Sequence, residues 1–303
     1  MNSLIPSLHK LEEIQWKSLL GVRFWDPVNG HHVRDDLYVI IWPKNNPELT
    51  RRASRTASGN YLFQRLLGLR SSEIILNSDQ YNKADQQEYM VRVLDLRGRF
   101  LPLVFKVKVP RENSCLFPNG IDPPDAQGEP WPGVPLFSSP ARNVSPGTAV
   151  IRAQLVDRAP DPPAPAKFAL ICVEINGSKW YGLTNGQGCA AVHFPYPDLQ
   201  NMLTGVAQDE GDQPIGDTTW DLRVSVNYKP GKESHKPGGR RYIQDQAFPV
   251  FLEILNQPEA KLVLKENDDP AEEGTYQLVY GQELVLRTDG ETKDIPSLFI
   301  ESQ

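Results

Sequence analysis

The chain has 303 residues, 27 of them proline and 22 glycine, and its 38 acidic side chains outnumber 32 basic ones to leave a formal charge of -6. Proline lacks the N–H that a helix needs and glycine costs backbone entropy, so this composition excludes long helices, while a net acidic surface repels a phosphate backbone and argues against nucleic acid as a partner. With a mean hydropathy of -0.45 and no apolar run near the roughly 20 residues that cross a bilayer, no transmembrane segment is expected.

The length suits two domains, each with its own core; one domain carrying a long insertion is the alternative. In residues 1–20, Leu8, Leu11, Ile14, Trp16 and Leu19 or Leu20 recur at three- and four-residue steps around Glu12 and Glu13, the period of a short amphipathic helix or arm. Such an arm packs on its own domain or docks on a partner subunit. Its acidic interruption is unlike the apolar core of a signal peptide, and Cys115, Cys172 and Cys189 are odd in number without paired spacing. A cytoplasmic protein with reduced thiols is the expectation.

From Val22 the pattern turns to short strands bounded by turn residues. Val22–Trp25 ends at Asp26-Pro27-Val28-Asn29-Gly30, where Asn-Gly suits a tight hairpin. Leu37–Trp42, Tyr61–Phe63, Glu88–Leu94 and Phe100–Val109 follow, the last alternating Phe105, Val107 and Val109 with Lys106 and Lys108. Residues 21–110 thus read as a first β-sandwich. Seven prolines between Pro118 and Pro140 make 111–146 a stiff linker, since no sheet interior tolerates that density.

A second strand series, in residues 147–257, runs through Thr148–Val156, Lys167–Ile175, Lys179–Leu183, Cys189–Phe194, Trp220–Tyr228 and Phe248–Leu255. Asn176-Gly177 and Asn185-Gly186 punctuate it as hairpin turns. Residues 258–303 add Lys261–Leu264, Thr275–Tyr280, Glu283–Thr288 and Ser297–Ile300, which complete the second sandwich or form a small appended sheet. The expected fold class is therefore all-β: two tandem antiparallel β-sandwiches of transthyretin or immunoglobulin type, with an N-terminal helix or arm and C-terminal strands.

Chemical sites are few. His31 and His32 beside Asp35 and Asp36 could be drawn as a metal centre, but neighbours on a strand point to opposite faces, and a solvated hairpin tip accounts for them. Cys189, His193 and Cys172 could be drawn as ligands too, yet a buried cysteine is usually a small hydrophobe. No nucleophile elbow, Walker loop, His-Glu-x-x-His helix or dinucleotide fingerprint occurs, so neither enzymatic activity nor a cofactor nor a metal is expected. Two basic stretches, Arg51, Arg52 and Arg55, and Lys229 to Arg241, lack the interleaved aromatics of a nucleic-acid site. They are solvated loops or, more sharply, docking points for an acidic protein ring. Trp131 in the Pro-rich segment, with Leu136 and Phe137, must pack on its own domains or on another subunit to leave water. The candidate partner contacts are Trp131, Leu136, Phe137, Arg240 and Arg241.

The turn order Asp26-Pro27-Val28-Asn29-Gly30, then Thr56-Ala57-Ser58-Gly59-Asn60-Tyr61-Leu62-Phe63 and Gly68, resembles the transthyretin-like, carboxypeptidase-regulatory-like sandwich family. Gly182-Leu183-Thr184-Asn185-Gly186-Gln187-Gly188 before Ala190–Pro197 repeats the idea. Such modules carry no zinc ligands, so the likeness brings no peptidase with it. The whole-chain order is also similar to proteins of phage-tail-like contractile injection systems. It rests on Gly21-Val22-Arg23-Phe24-Trp25-Asp26-Pro27, Arg97-Gly98-Arg99-Phe100-Leu101-Pro102, Pro135-Leu136-Phe137-Ser138-Ser139-Pro140, His193-Phe194-Pro195-Tyr196-Pro197 and Gly281-Gln282-Glu283-Leu284-Val285-Leu286-Arg287. That resemblance implies a structural subunit near the cap or baseplate, in contact with tube, sheath, cap or baseplate proteins and present as a symmetric, six-fold homo-oligomer. A ligand- or carbohydrate-binding adhesin is the alternative from another class.

Overall fold

The computed structural model describes residues 18–69, 86–109, 116–117, 130–143, 146–197, 216, 218–231, 249–290 and 295–302. These are almost wholly β-strand and connecting turn. Residues 1–17, with most of the expected N-terminal arm, lie outside them. Leu19 and Leu20, read as the end of its apolar stripe, are buried, and Leu20 opens the first strand.

The first half contains β1 (Leu20–Val22), β2 (Phe24–Asp26), β3 (His31–His32), β4 (Leu37–Pro43), β5 (Arg51–Arg52), β6 (Ser54–Arg55), β7 (Tyr61–Phe63), β8 (Gln87–Asp95) and β9 (Leu103–Val109). The hairpin expected at Asp26–Gly30 joins β2 to β3, pairing Trp25 with His32 and Asp26 with His31. Its turn is closed by the Gly30 N–H donating to the Asp26 carbonyl at 3.0 Å. β5, β4, β8 and β9 form an antiparallel sheet in that order. Alternation buries Val39, Ile41, Tyr89, Val91, Val93, Phe105, Val107 and Val109 in one core with Leu20, Val22 and Phe24. Each large side chain taken fully from water contributes roughly 1.5–3 kcal/mol. The other face of the sheet holds a second buried cluster of Ile40, Trp42, Met90 and Val104.

The Pro-rich segment is more than a linker. Within it β10 (Leu116–Phe117) pairs parallel with β1, and β11 (Val134–Pro135) pairs parallel with β2. A proline fits β11 because the Val134 and Leu136 N–H groups make the bonds, to the carbonyls of Arg23 at 2.8 Å and Trp25 at 2.9 Å; the intervening residue needs no donor toward β2.

The second half comprises β12 (Thr148–Asp157), β13 (Ala164–Pro165), β14 (Leu170–Ile175), β15 (Ser178–Leu183), β16 (Cys189–Pro195), β17 (Thr219–Asn227), the helix α1 (Phe251–Leu255), β18 (Glu259–Val263), β19 (Gly274–Val279), β20 (Leu284–Leu286) and β21 (Leu298–Glu301). Its strands join in one ten-stranded sheet. β12 changes neighbours along its length: Thr148–Gln154 lies antiparallel to β16 and Ile151–Ala153 parallel to β20, whereas Leu155–Asp157 runs parallel to β21. Inward residues of β12 (Ala149, Ile151, Ala153, Leu155), β14 (Ile171, Val173, Ile175), β16 (Ala190, Val192, Phe194) and β17 (Trp220, Leu222, Val224, Val226) meet in one core. The four C-terminal strands complete this half, β18 and β19 on β17 and β20 and β21 on β12.

Two expectations need correction. Asn176-Gly177 does turn β14 into β15, both residues having positive φ of 49° and 77°, but Asn185-Gly186 makes no hairpin. There the Asn185 Oδ1 accepts the N–H groups of Gln187 at 2.8 Å and Cys189 at 3.0 Å, and the chain leaves β15 for β16, whose ladder partner is β12. The run Phe248–Leu255, expected as a strand, contains the helix α1: Phe251 and Ile254, three apart, are buried while Leu252 stays 45% exposed. That spacing is helical, and β9 supplies the surface it covers, with Lys106 reaching Glu253 at 2.7 Å.

Candidate functional site

The residues singled out in the Pro-rich segment converge on a seam between the two halves. Gly133 brings the chain so close to β2 that a Cβ there would lie 2.9 Å from the Arg23 carbonyl oxygen. Beyond β11 the segment is bonded on its other side, Leu101 donating to the Phe137 carbonyl at 2.9 Å and Ser139 to the Arg99 carbonyl at 2.8 Å. Leu136 and Phe137 are consequently buried, at 1% and 3% exposure, and Phe137 packs against Phe251 of α1. They offer a partner subunit no surface, which corrects that expectation for both. Trp131 packs edge-on against Tyr181 of β15, ring centroids 5.8 Å apart, so its partner is within its own chain. Leu170, Leu183, Phe251 and Ile254 of the second half belong to the same cluster as the first-half core.

The polar part of the seam lies beside it. Arg142 grips the Asp26 carboxylate with two nitrogens, at 2.7 and 3.0 Å, donates to the Ser138 Oγ at 3.0 Å, and stacks over Phe100. Both ionic side chains are buried. This bidentate pair ties the first hairpin to the segment entering the second half. Nearby, Arg152 of β12 binds Glu283 at 2.8 and 3.1 Å and the Pro140 carbonyl at 2.6 Å.

His193 of β16 faces these groups, 3% exposed, with neither ring nitrogen hydrogen-bonded. Its odd position turns it away from the core that Val192 and Phe194 enter. Burial, reinforced by the charges of Arg142 and Arg152, pushes its pKa down to about 4. Nothing in the sequence pairs Asp26 with Arg142 or places His193 against either; a histidine at an outward strand position was the one available hint.

Several of the residues drawn from the sequence as metal ligands make other contacts. Asp36 pairs with Arg97, and Asp35 and Asp95 with Arg99, while His32 packs edge-on against Trp25. Cys189 and Cys172 are on β16 and β14, and no three His, Cys, Asp or Glu side chains converge among the described residues. Arg240 and Arg241 lie outside the described residues. A cleft of about 490 Å³ opens beside Lys44, Asn45, Asn46, Leu49, Gln87 and Glu88. No described helix is long and apolar enough to cross a membrane.

No protein-family model matches the chain, and no curated protein matches it. Among solved structures it is similar to the Bacillus anthracis TIE protein, at 10% identity and a TM-score of 0.23, over 88% of this chain and 44% of that one. It is also similar to a Ca2+-stabilised adhesin that helps an Antarctic bacterium reach out and bind ice, at 10% identity and a TM-score of 0.15, over 70% of this chain and 46% of that one. The chain thus spans less than half the length of either structure, and TM-scores this low carry no argument about fold or activity.

Proposed function

We propose that this chain is a non-enzymatic structural subunit of a phage-tail-like contractile injection particle, a cap adaptor or baseplate component bridging tube, sheath and terminal proteins. In this reading the two halves are tandem β-sandwiches of transthyretin or immunoglobulin type, resident in the cytoplasm within an assembled particle. Copies are arranged around a symmetry axis, six-fold by expectation.

The observation that carries the reading is the seam. A part that bridges others must transmit load between its ends, and here four residues of the second half join the first-half core while a buried bidentate ion pair ties the first hairpin to the segment entering the second half. The ordered resemblance across the whole chain supplies the kind of particle. Isolating native particles and imaging them by electron microscopy tests it: the chain should co-purify with tube or sheath proteins. A free monomer never found with them would refute the assignment. Reversing the charge of Arg240 and Arg241 should also abolish incorporation.

The alternative, a ligand- or carbohydrate-binding adhesin, draws on the cleft beside Asn45, Asn46 and Gln87, whose amides can donate to and accept from hydroxyl groups. Saturable binding on a glycan array, lost on Asn46→Ala, would favour it.

A further inference from the structure

Five exposed arginines of the first half have no carboxylate partner among the described residues. Arg51 and Arg52, on opposite sides of the edge strand β5, and Arg55 of the edge strand β6 are exposed, as are Arg34 and Arg65 of the same half. Arg55 donates to the Arg34 carbonyl at 2.9 Å and Arg52 stacks over Tyr38, contacts that orient the guanidinium groups without neutralising them. None of the five pairs with a carboxylate among the described residues. The nearby Asp35 and Asp36 are already engaged by Arg99 and Arg97.

The complementary charge is at the other end of the chain. Between residues 259 and 303 eleven acidic side chains face four basic ones, so this tract alone is more acidic than the whole molecule. Glu266, Asp268, Asp269, Glu272 and Glu273 are exposed on the loop that carries β18 into β19. Among the described residues only Lys265 and Arg223 pair with them, each at 3.8 Å, with Asp268 and Glu273. The crowding is felt at Glu259, whose carboxyl is raised above the usual range by burial and then by Glu272 and Glu273.

We infer that copies of this chain associate head to tail, the arginine surface of β5 and β6 on one copy receiving the acidic β18–β19 loop of the next. A second copy is the favoured occupant because the chain itself presents both halves of the match: the arginines have no carboxylate partner among the described residues, and there the acidic loop meets only Lys265 and Arg223, at 3.8 Å. Planar guanidinium forks suit carboxylates in two-point contacts. Two different patches meeting make a heterologous contact, which closes into a ring or continues as a filament. The inference rests on the assembly reading and states how neighbouring copies touch.

Sedimentation velocity on the full chain over a range of concentrations tests it. At low ionic strength the protein should associate, and high salt should disperse it, because exposed charges are screened beyond about 8 Å at physiological salt. Arg51→Glu/Arg52→Glu/Arg55→Glu should weaken association by about tenfold or more, and so should Asp268→Lys/Asp269→Lys/Glu272→Lys. An equimolar mixture of the two variants makes every contact complementary again and should restore association, which also shows that both are folded. A wild-type chain that stays monomeric at low salt, association indifferent to both reversals, or a mixture that fails to reassociate would each overturn the contact. So would binding of the arginine surface to DNA in place of self-association. A monomer that still co-purifies with other particle subunits removes this contact and leaves the assembly reading standing; one that co-purifies with none removes both.

Discussion

At His193, burial opposes protonation, and Arg142 and Arg152 add repulsion that Asp26 and Glu283 only partly offset. An imidazole with a folded pKa of about 4 and an unfolded value of 6.5 binds fewer protons when folded between those limits. Its contribution to stability is therefore complete above the unfolded value and declines as the pH falls toward 4. At about 1.4 kcal/mol per pKa unit the span is on the order of 3 kcal/mol. Thermal melts from neutral to acid pH should show this loss, and His193→Phe should flatten that part of the profile; an unchanged slope would refute the assignment. The Asp26–Arg142 pair behaves differently, since removing one buried partner strands the other. Arg142→Met should cost about 3–5 kcal/mol, and combining it with Asp26→Leu should cost less than the sum of the two single changes. A double-mutant cycle by urea unfolding that returns no coupling would contradict the geometry.

Elements follow the sequence wherever a local rule is sufficient. Asn176-Gly177 turns β14 into β15 because both residues accept positive φ and the flanking strands pair directly. The alternation of Phe105, Val107 and Val109 with Lys106 and Lys108 decided which face of β9 is buried. Where the outcome depends on a distant neighbour, local rules gave the wrong element. Asn185-Gly186 has the hairpin composition, but β16 is drawn to β12, so the turn became a corner between strands that do not share a ladder. α1 is helical because Phe251 and Ile254 fill the first-half core, a surface its own sequence does not reveal. The short strand β11 depends on close approach at Gly133, where a methyl group would meet the Arg23 carbonyl. Gly133→Ala should destabilise the protein by about 1–3 kcal/mol. Hydrogen exchange at the Val134 and Leu136 amides should speed up with it, and unchanged exchange would mean that β11 does not rely on this contact.

For the whole molecule, the shared core has a thermodynamic consequence. Because Leu170, Leu183, Phe251 and Ile254 complete the cluster built on β1, β2, β4, β8 and β9, the first half cannot lose its packing without exposing the second. Urea unfolding followed by circular dichroism and by tryptophan fluorescence should therefore give coincident transitions. Two separated transitions would show that the halves are independent. The sequence by itself determined the all-β class, most strand positions and their buried faces, and the two true hairpin turns, since backbone period and turn chemistry act over a few residues. The tertiary structure alone decided that Leu136 and Phe137 are buried and that Trp131, partly buried, packs on Tyr181. It also joined Asp26 to Arg142 across 116 positions and left the arginines of β5 and β6 without a carboxylate partner among the described residues. Those outcomes depend on which distant surfaces meet, and no local pattern encodes that.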